Sequence, residues 1–544
     1  MKKWRSDSGG ITTVRVVLIK PHDTYGDAYQ AAFGVRMPPL GLATLAAVLR
    51  ENGHKVRIID TNVSKLTDDE LIDEIARFRS QLVGFTTIAS TLYPHAARLA
   101  RKIKSNFPDI VTVAGGHHIT FTYPEALSEG IDFCVLGEGE LTLLELVTRL
   151  ESNGDTESIR GIAFMSSQGN VIRTPPRLPI RSLDVLPFPA RDLLDNEKYT
   201  VDILEKGAKL ATLETSRGCP YRCDFCTVPA MWGRRWRFKS NSRIIEELEL
   251  LERAGFKYVF FVDDIFWIPS FEERKKQLFE EMIERGFQFR WLCQIRTDSV
   301  TGNPKLVKLA AKAGMVIAFL GIESGDERVL ATIGKNVRPP MAEKAVQILD
   351  ENGVMAYGGF ILGSPGESIE QTRNTIQFAH DLGRKGMAVA QFTVYTPLPG
   401  SSSFYRSARN DRILTYDWSR FDCMHPVLRT SWLPWKLYLE TKLAHYRFYI
   451  RRAFSSIREL NKTPKPYLNH ATRFVMNRLP HYALGLIKLP FEMVDVFRYL
   501  KRPKSISSEP LRKILDSEGF DILGSMKKWT RVDEIGDLSL TQRQ

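Results

Sequence analysis

The chain has 544 residues, and at about 150 residues per domain this length predicts three to four domains. Hydrophobic residues form 43% and charged residues 26% of the chain, which excludes a largely disordered protein, and six cysteines are too few for a disulfide scaffold. The formal charge of +13 would by itself suggest a nucleic-acid partner.

The basic charge is concentrated in one segment. Residues 429–504 contain 16 Lys and Arg but 4 Asp and Glu, so the rest of the chain carries a net charge of +1. The same segment has 13 of the 56 aromatic residues, which makes it both basic and aromatic. The remaining body of the protein is close to neutral.

Targeting signals are absent from the sequence pattern. The segment before Thr13 has no apolar run of signal-peptide length, and no window of about 18 apolar residues predicts a transmembrane helix. We therefore expect a cytoplasmic protein, whose thiols stay reduced and available to metals.

Residues 1–150 alternate short β-branched runs with helical periodicity. Five predicted strands, each followed by a predicted helix, begin at Val14, Lys55, Leu82, Ile110 and Phe133. This alternation is typical of a parallel, doubly wound, Rossmann-like α/β sheet. Glycines follow two of the strands, at the edge where such sheets bind ligands.

Two further regions follow. Prolines interrupt residues 151–207, and a hairpin is predicted from Ile159–Phe164 and Asn170–Thr174, so we interpret this stretch as a linker that packs on both neighbours. In residues 208–405 six strands alternate with helices. Because six strands are too few to close an eight-stranded barrel, we expect a partial (β/α)6 barrel with its active site at the carboxyl ends of the strands.

Three cysteines lie in one loop after the first strand of this barrel. Cys219, Cys223 and Cys226 have Cx3Cx2C spacing, and thiolates are soft ligands that suit iron–sulfur clusters. A zinc knuckle is the alternative, but structural zinc takes four ligands and no nearby His or Cys completes the set. The other cysteines are expected to be buried apolar side chains: Cys134, Cys293 and Cys423.

The cysteine loop and the strand ends resemble the radical S-adenosylmethionine (SAM) superfamily between Leu210 and about Pro399. In that superfamily the open iron of a [4Fe-4S] cluster binds SAM, whose reductive cleavage gives a 5′-deoxyadenosyl radical. The resemblance implies that the three cysteines hold the cluster. It implies SAM contacts at Phe225, Asp263, Gln294, Arg296, Glu323, Ser324, Gly359 and Gly363.

A doubly wound domain before such a barrel resembles the cobalamin-binding (class B) subgroup. The segments 37–42, 115–118 and 136–140 match its characteristic loops. The resemblance implies cobalamin contacts at Pro39, Leu40, Gly41, Thr86, Gly115, Gly116, His117, Gly137 and Glu138. The Asp-x-His-x-x-Gly signature is absent, so we expect cobalamin without a histidine ligand from the protein. A Rossmann-like domain that binds nothing is the alternative.

Residues 406–544 form a predicted helical, basic and aromatic region. Trp432–Arg452 and Leu479–Tyr499 have helical spacing. Three interpretations are open: a helical cap packed on the barrel mouth, an interfacial membrane surface, or an RNA-binding surface. We prefer peripheral membrane contact through residues 429–504, because basic helices with aromatic residues suit anionic headgroups and no RNA-binding signature is present.

The resemblance implies a cobalamin-dependent radical SAM enzyme that methylates an unactivated carbon of a small hydrophobic substrate. The strand end 262–264, the long C-terminal helical region and its charge pattern resemble hopanoid C-3 methylases, and a flavodoxin or ferredoxin is the expected electron donor. The alternatives are a magnesium-protoporphyrin ester cyclase or lipid ring-forming enzyme, a natural-product methylase and a tRNA-modifying enzyme. A cobalamin or iron–sulfur sensor is the non-enzymatic alternative.

Overall fold

The computed structural model describes residues 13–23, 34–460 (side chains to residue 452) and 487–500. The strands of its first part are β1 (Arg15–Lys20), β2 (Lys55–Asp60), β3 (Leu82–Thr86), β4 (Val111–Gly115), β5 (Phe133–Val135), β6 (Ile162–Met165) and β7 (Val171–Arg173). They form one seven-stranded sheet in the order β2-β1-β3-β4-β5-β6-β7. The strands β1 to β5 are parallel, since a helix returns the chain to the same edge after each strand.

Helices cover both faces of this sheet. Because β1 is buried on both faces, it is almost continuously apolar: Val16 and Leu18 face one core, and Val17 and Ile19 face the other. The predicted doubly wound fold is confirmed. The helices on the first face are Leu40–Glu51 and Glu140–Glu151; those on the second are Asp68–Arg77, Tyr93–Asn106 and His117–Ser128, and a short helix, Thr61–Ser64, follows β2.

The first sheet continues beyond residue 150. The predicted hairpin is present as β6 and β7, and β6 pairs antiparallel with β5 through Phe133↔Phe164 and Val135↔Ile162. It covers an edge that β5 would otherwise expose. The hairpin, which the sequence placed in the linker, therefore completes the first sheet.

The second sheet has six parallel strands in sequential order. They are β8 (Leu210–Leu213), β11 (Tyr258–Phe261), β12 (Arg290–Ile295), β13 (Met315–Glu323), β14 (Met355–Leu362) and β15 (Val389–Val394). In the described part of the chain β8 and β15 do not pair, so the predicted partial barrel is confirmed. A small antiparallel pair, β9 (Ser216–Arg217) and β10 (Arg237–Phe238), lies beside the cysteine loop.

The barrel is surrounded by helices that follow its strands. Their apolar side chains pack on the outer face of the sheet, with Trp291, Phe261 and Phe279 among the fully buried ones. The helices are Val228–Trp232, Asn241–Arg253, Glu272–Arg285, Thr297–Gly302, Pro304–Lys312, Glu327–Thr332, Pro339–Glu351, Ile369–Arg384 and Ser402–Arg409.

The edge strand β15 is covered by the chain that follows the barrel. The hydroxyl of Tyr449 donates to the carbonyl of Ala390 at 2.9 Å, and the N–H of Val394 donates to the carbonyl of Cys423 at 2.7 Å. Tyr449 belongs to the helix Pro434–Leu460, which lies along this edge. A helical cap is thus present, but it lies along the open side of the barrel rather than on its mouth alone.

The C-terminal region contains two described helices. The predicted helix Trp432–Arg452 is observed as Pro434–Leu460. Of the predicted helix Leu479–Tyr499, the part before residue 487 lies outside the described residues, and residues 487–500 are helical. No helix in the described stretches combines the length and the apolar character that crossing a bilayer requires.

Candidate active site between the two sheets

The cluster loop, residues 218–226, is held by close backbone packing. Gly218 has φ +93°, and a Cβ at this position would collide with the carbonyl oxygen of Arg235. Glycine is therefore required at this position. On the other side of the loop a Cβ at Gly334 would lie 2.8 Å from the carbonyl oxygen of Arg222. These contacts fix the path of the cysteines.

The three cysteines of the loop are free and partly exposed. Burial raises the pKa of Cys219 and Cys223, and raises that of Cys226 to about 12. Among the described residues no three His, Cys, Asp or Glu side chains converge on the position of a single ion. The cysteines suit a cubane cluster, because each thiolate then binds a different iron atom and the thiol protons are released.

The inner face of the barrel carries several of the predicted SAM contacts. Gln294 is exposed although it lies in a central strand, so its side chain faces open space. Its cross-strand partner Phe319, and Gly359 on the next strand, are partly exposed on the same face. Arg296 lies two residues beyond Gln294, and its guanidinium carbon is 3.7 Å from the centroid of the Tyr221 ring in the cluster loop.

Glu323 reaches the same face through an irregularity in β13. The register shifts between Gly321 and Glu323, and Glu323 has φ +65°. Its Oε1 is 2.8 Å from Nζ of Lys335, and a Cβ on Gly321 would meet both atoms. The cation of Lys335 also lies close enough to Cys223 to lower the pKa of that thiol, against the larger effect of burial. Neither a motif nor a periodic pattern in the sequence marks Lys335.

Asp263 does not lie at the predicted SAM site. It is 1% exposed, and its carboxylate accepts hydrogen bonds from the backbone N–H of Thr215 at 3.1 Å and from the hydroxyls of Thr215 and Ser216. Asp263 lies near Lys275 of the helix Glu272–Arg285, whereas the next residue, Asp264, accepts a hydrogen bond from the backbone N–H of Gly218 in the cluster loop. Burial, with Glu214 and Asp263 nearby, raises the pKa of Asp264 to about 7. Alternation along the chain predicts that the two carboxylates face opposite sides, but it does not tell which of them faces the cluster loop.

Three other predicted SAM contacts have different surroundings. Phe225 packs on Tyr395, in the buried cluster that Ile361 also contacts. The hydroxyl of Ser324 is buried and lies 2.9 Å from that of Thr375. A Cβ on Gly363 would collide with the side chain of Leu437, so this glycine allows the helix Pro434–Leu460 to approach. The structure thus brings Phe225 to the site but not Ser324 or Gly363.

The predicted cobalamin contacts lie at the carboxyl edge of the first sheet. Thr86 and Gly115 are cross-strand partners at the ends of β3 and β4. Gly116 has φ +107°, and a Cβ there would lie 2.9 Å from the backbone of Thr87. Ile88, which follows Thr87 in the chain, is 63% exposed at this edge. Glycines beside an exposed apolar side chain fit a flat corrin ring.

The first helix meets the same edge. A Cβ on Gly41 or on Gly137 would have no neighbour within 4 Å, so both glycines border open space. Pro39 caps the helix that begins at Leu40, and Leu45 of this helix packs against Gly139. We call residues 137–140 the corrin-edge loop. Its residue Glu138 faces away from the open space, into a buried ion-pair group with Arg217 and Arg237.

The two histidines after β4 differ in their surroundings. His117 packs edge-on against Trp232, with ring centroids 5.5 Å apart, which brings the corrin edge next to the cluster side of the barrel. His118 is buried, its Nδ1 is 3.0 Å from the hydroxyl of Ser90, and its ring packs on Trp418. Burial lowers the pKa of His117 to about 4 and that of His118 to about 3, so both are neutral.

Comparisons with known proteins match both parts of the chain. Residues 26–147 match the model of the B12 binding domain, and residues 213–379 match the model of the Radical SAM superfamily. An uncharacterized methyltransferase, PH0819, of Pyrococcus horikoshii is 35% identical over 76% of this chain and 88% of its own. The hopanoid C-3 methylase of Methylococcus capsulatus is 30% identical over 73% of each chain.

Two further matches bear on the chemistry and the fold. The anaerobic magnesium-protoporphyrin IX monomethyl ester cyclase of Rubrivivax gelatinosus is 31% identical over 81% of this chain and 78% of its own. The solved structure of the cobalamin-dependent SAM radical enzyme OxsB, with aqua-cobalamin and SAM bound, has a TM-score of 0.65 at 18% identity. It covers 96% of this chain and 79% of its own.

The fold, the cysteine loop and these matches define an enzyme that combines a B12-binding domain with a radical SAM barrel. The chain belongs to the cobalamin-dependent radical SAM family, with methyltransferases among its relatives. The predicted cofactor set is confirmed: cobalamin, SAM and a [4Fe-4S] cluster.

Proposed function

We propose that the protein methylates an unactivated carbon of a hydrophobic substrate of hopanoid-like or other lipid character. The inner face of the barrel carries this proposal, because Phe319, Gly359 and Ile361, which are apolar or small, are partly exposed there on adjacent strands. Its carboxylate Glu323 is neutralised by Lys335. A mostly apolar space with few placed polar groups suits such a substrate.

The residues have distinct roles in this proposal. When bound, SAM with the cluster supplies a radical and cobalamin carries the methyl group. Cys219, Cys223 and Cys226 hold the cluster. Arg296 and Lys335 place positive charge beside the cluster loop, where they stabilise bound carboxylates and thiolates. The helix Pro434–Leu460 covers the edge strand β15 and so limits the access of water to the barrel from that side.

The test is anaerobic reconstitution with iron, sulfide and hydroxocobalamin, followed by SAM, reductant and a hopanoid or extracted lipid. Methylation predicts 5′-deoxyadenosine, S-adenosylhomocysteine and a product heavier by one CH₂. Cys223→Ala should abolish all three, whereas Cys134→Ala, a buried thiol in the first sheet, should retain them. A fully loaded chain that never cleaves SAM with any of these lipids would contradict the proposal.

Oxidative ring formation is the second candidate, supported by the relative from Rubrivivax gelatinosus. The same assay separates the two candidates. A cyclase forms 5′-deoxyadenosine without transferring a methyl group, so magnesium-protoporphyrin ester offered as substrate would be converted with no S-adenosylhomocysteine and no gain of CH₂.

We also propose peripheral contact of residues 487–500 with an anionic membrane from the cytoplasmic side. Four large apolar side chains of this helix are exposed: Ile487 (67%), Phe491 (77%), Val494 (49%) and Phe497 (42%). Its acidic residues are paired, Asp495 with Arg420 and Glu492 with Lys442, while Lys488 and Arg498 are exposed. An apolar face flanked by cations suits anionic headgroups.

Co-sedimentation with phosphatidylglycerol and phosphatidylcholine vesicles tests this contact. Ile487→Ser combined with Phe491→Ser should weaken binding to the anionic vesicles about tenfold, given the apolar area removed. Leu178→Ser is the matched control, since Leu178 is also 67% exposed but lies in the linker. Equal binding by all three proteins would refute the contact. A flavodoxin or ferredoxin remains the proposed electron donor.

A further inference from the structure

A group of buried charged side chains joins the corrin-edge loop to the cluster loop. Its centre is Arg217, which directly precedes Gly218 in the chain. The Nη2 atom of Arg217 lies 2.6 Å from Oε1 of Glu140, and its Nη1 atom lies 3.4 Å from Oε1 of Glu138. Its Nε donates to both carboxylate oxygens of Glu214, at 2.9 and 3.0 Å. One guanidinium therefore contacts carboxylates from both domains.

A second arginine completes the group. Arg237 pairs with Arg217 across β9 and β10, and its Nη2 lies 2.6 Å from Oε1 of Glu138. The other oxygen of Glu138 accepts from the backbone N–H of Ile180 at 2.7 Å. The side chains of Arg217 and Glu138 are 6% and 8% exposed. Breaking such a buried pair leaves an uncompensated charge, so the group holds one arrangement.

We propose that Arg217 is a positioning residue that fixes the cluster loop relative to the corrin-edge loop, and hence the separation and orientation of the two cofactors. The inference rests on the proposed function, because it needs both cofactors in one chain. The planar guanidinium donates in several fixed directions, which a lysine ammonium cannot reproduce. Because Arg217 is two residues from Cys219, its contacts with Glu138 and Glu140 constrain the first cluster ligand directly.

Two variants and one control test the proposal in the full-length protein. Arg217→Lys keeps the positive charge but loses the planar guanidinium with its several donors. Glu140→Gln keeps the shape of the side chain but removes its negative charge. Arg191→Lys is the control, since Arg191 donates to the fully buried Glu247 at 2.7 Å but contacts neither loop. Hydrogen–deuterium exchange of the cofactor-free chains is followed in peptides covering residues 136–142 and 216–222.

Both variants should accelerate exchange in the two loops together, by about tenfold or more, given the strength of charged hydrogen bonds. The control should change neither loop. In reconstituted, partly reduced protein, the magnetic relaxation of the cobalt(II) signal by the reduced cluster should differ between Arg217→Lys and wild type, because this relaxation depends on distance.

Unchanged exchange in either loop, in either variant, would overturn the proposal. So would cobalt relaxation identical to wild type in Arg217→Lys protein that holds both cofactors in full. A wild-type chain that retains no cobalamin would instead refute the proposed function, while the exchange experiment would still decide whether Arg217 joins the two loops.

Discussion

The imidazole of His445 accepts a hydrogen bond at Nε2 from the backbone N–H of Phe392, 3.1 Å away. Its Nδ1 lies 3.0 Å from the carbonyl oxygen of Thr441 and must therefore carry the proton. One neutral tautomer thus satisfies an edge group of β15 that none of the described strands reaches. Burial lowers the pKa of His445 to about 4, which keeps this tautomer at neutral pH.

Replacing His445 should therefore destabilise the edge of the barrel at β15. We expect His445→Ala to lower the free energy of unfolding by about 1–3 kcal/mol, because the N–H of Phe392 loses its partner while buried. His445→Gln, whose amide oxygen can accept the same bond, should recover part of this loss. Urea unfolding of the cofactor-free proteins at pH 7.5 measures both, and a fully stable His445→Ala protein would show that the contact is dispensable.

The same histidine makes the stability of the barrel depend on pH. Its pKa is about 4 when folded and about 6.5 when unfolded, so the unfolded chain binds more protons between these values. Wild type should lose stability from this group as the pH falls from about 6.5 to 4, and His445→Gln should lack that loss. The stability advantage of wild type over His445→Gln should thus be smaller at pH 4.5 than at pH 7.5; equal differences would contradict this account.

Replacing each of the two adjacent carboxylates after β11 by Asn should affect the stability of the protein differently. Asp263 is buried against Thr215 and compensates the buried cation of Lys275. We expect Asp263→Asn to cost about 3 kcal/mol, since it leaves Lys275 without its counter-charge. Asp264→Asn is the matched neighbour and should not destabilise the protein. Comparable losses for both, measured by urea unfolding, would refute the assignment of the two faces.

Asp264→Asn should also change the pH dependence of stability. Burial raises the pKa of Asp264 to about 7 from an ordinary value of 3.8, so the folded protein binds more protons than the unfolded chain between these values. The cofactor-free wild type should therefore lose stability from this group as the pH rises from about 4 to 7. The stability of Asp264→Asn relative to wild type should increase over that range, as unfolding at pH 5 and pH 8 would show.

Gly137, the first residue of the corrin-edge loop, offers a test of cobalamin binding with a close control. Gly137 and Gly169 both have φ +79° and open space where a Cβ would be, but Gly169 lies in the β6–β7 turn. Alanine at either position should cost about 1 kcal/mol through backbone strain. Gly137→Ala should in addition weaken hydroxocobalamin binding, because its methyl group enters the space of the ring. Equal affinities of the two variants, from equilibrium dialysis, would refute the placement of the ring.

Much of this architecture follows from local patterns. The buried strands are continuous apolar runs, and Cx3Cx2C spacing after β8 identified the cluster loop. Orientation was harder to predict. Asp263 and Asp264 differ by one residue and face opposite sides, and Glu138 was expected at the corrin although it pairs with Arg217 and Arg237. Such contacts join residues far apart in the chain, and neither composition nor periodicity encodes them.

The cover on β15 also has a consequence for the order of folding. During synthesis the strand is complete about 50 residues before His445 and Tyr449 leave the ribosome, and until then its unpaired edge can recruit other chains. Rapid translation of the segment between β15 and the helix Pro434–Leu460 would shorten the time for which this edge is exposed. Production at low temperature or with a holding chaperone should therefore raise the soluble yield more for chains truncated before Pro434 than for the full-length protein.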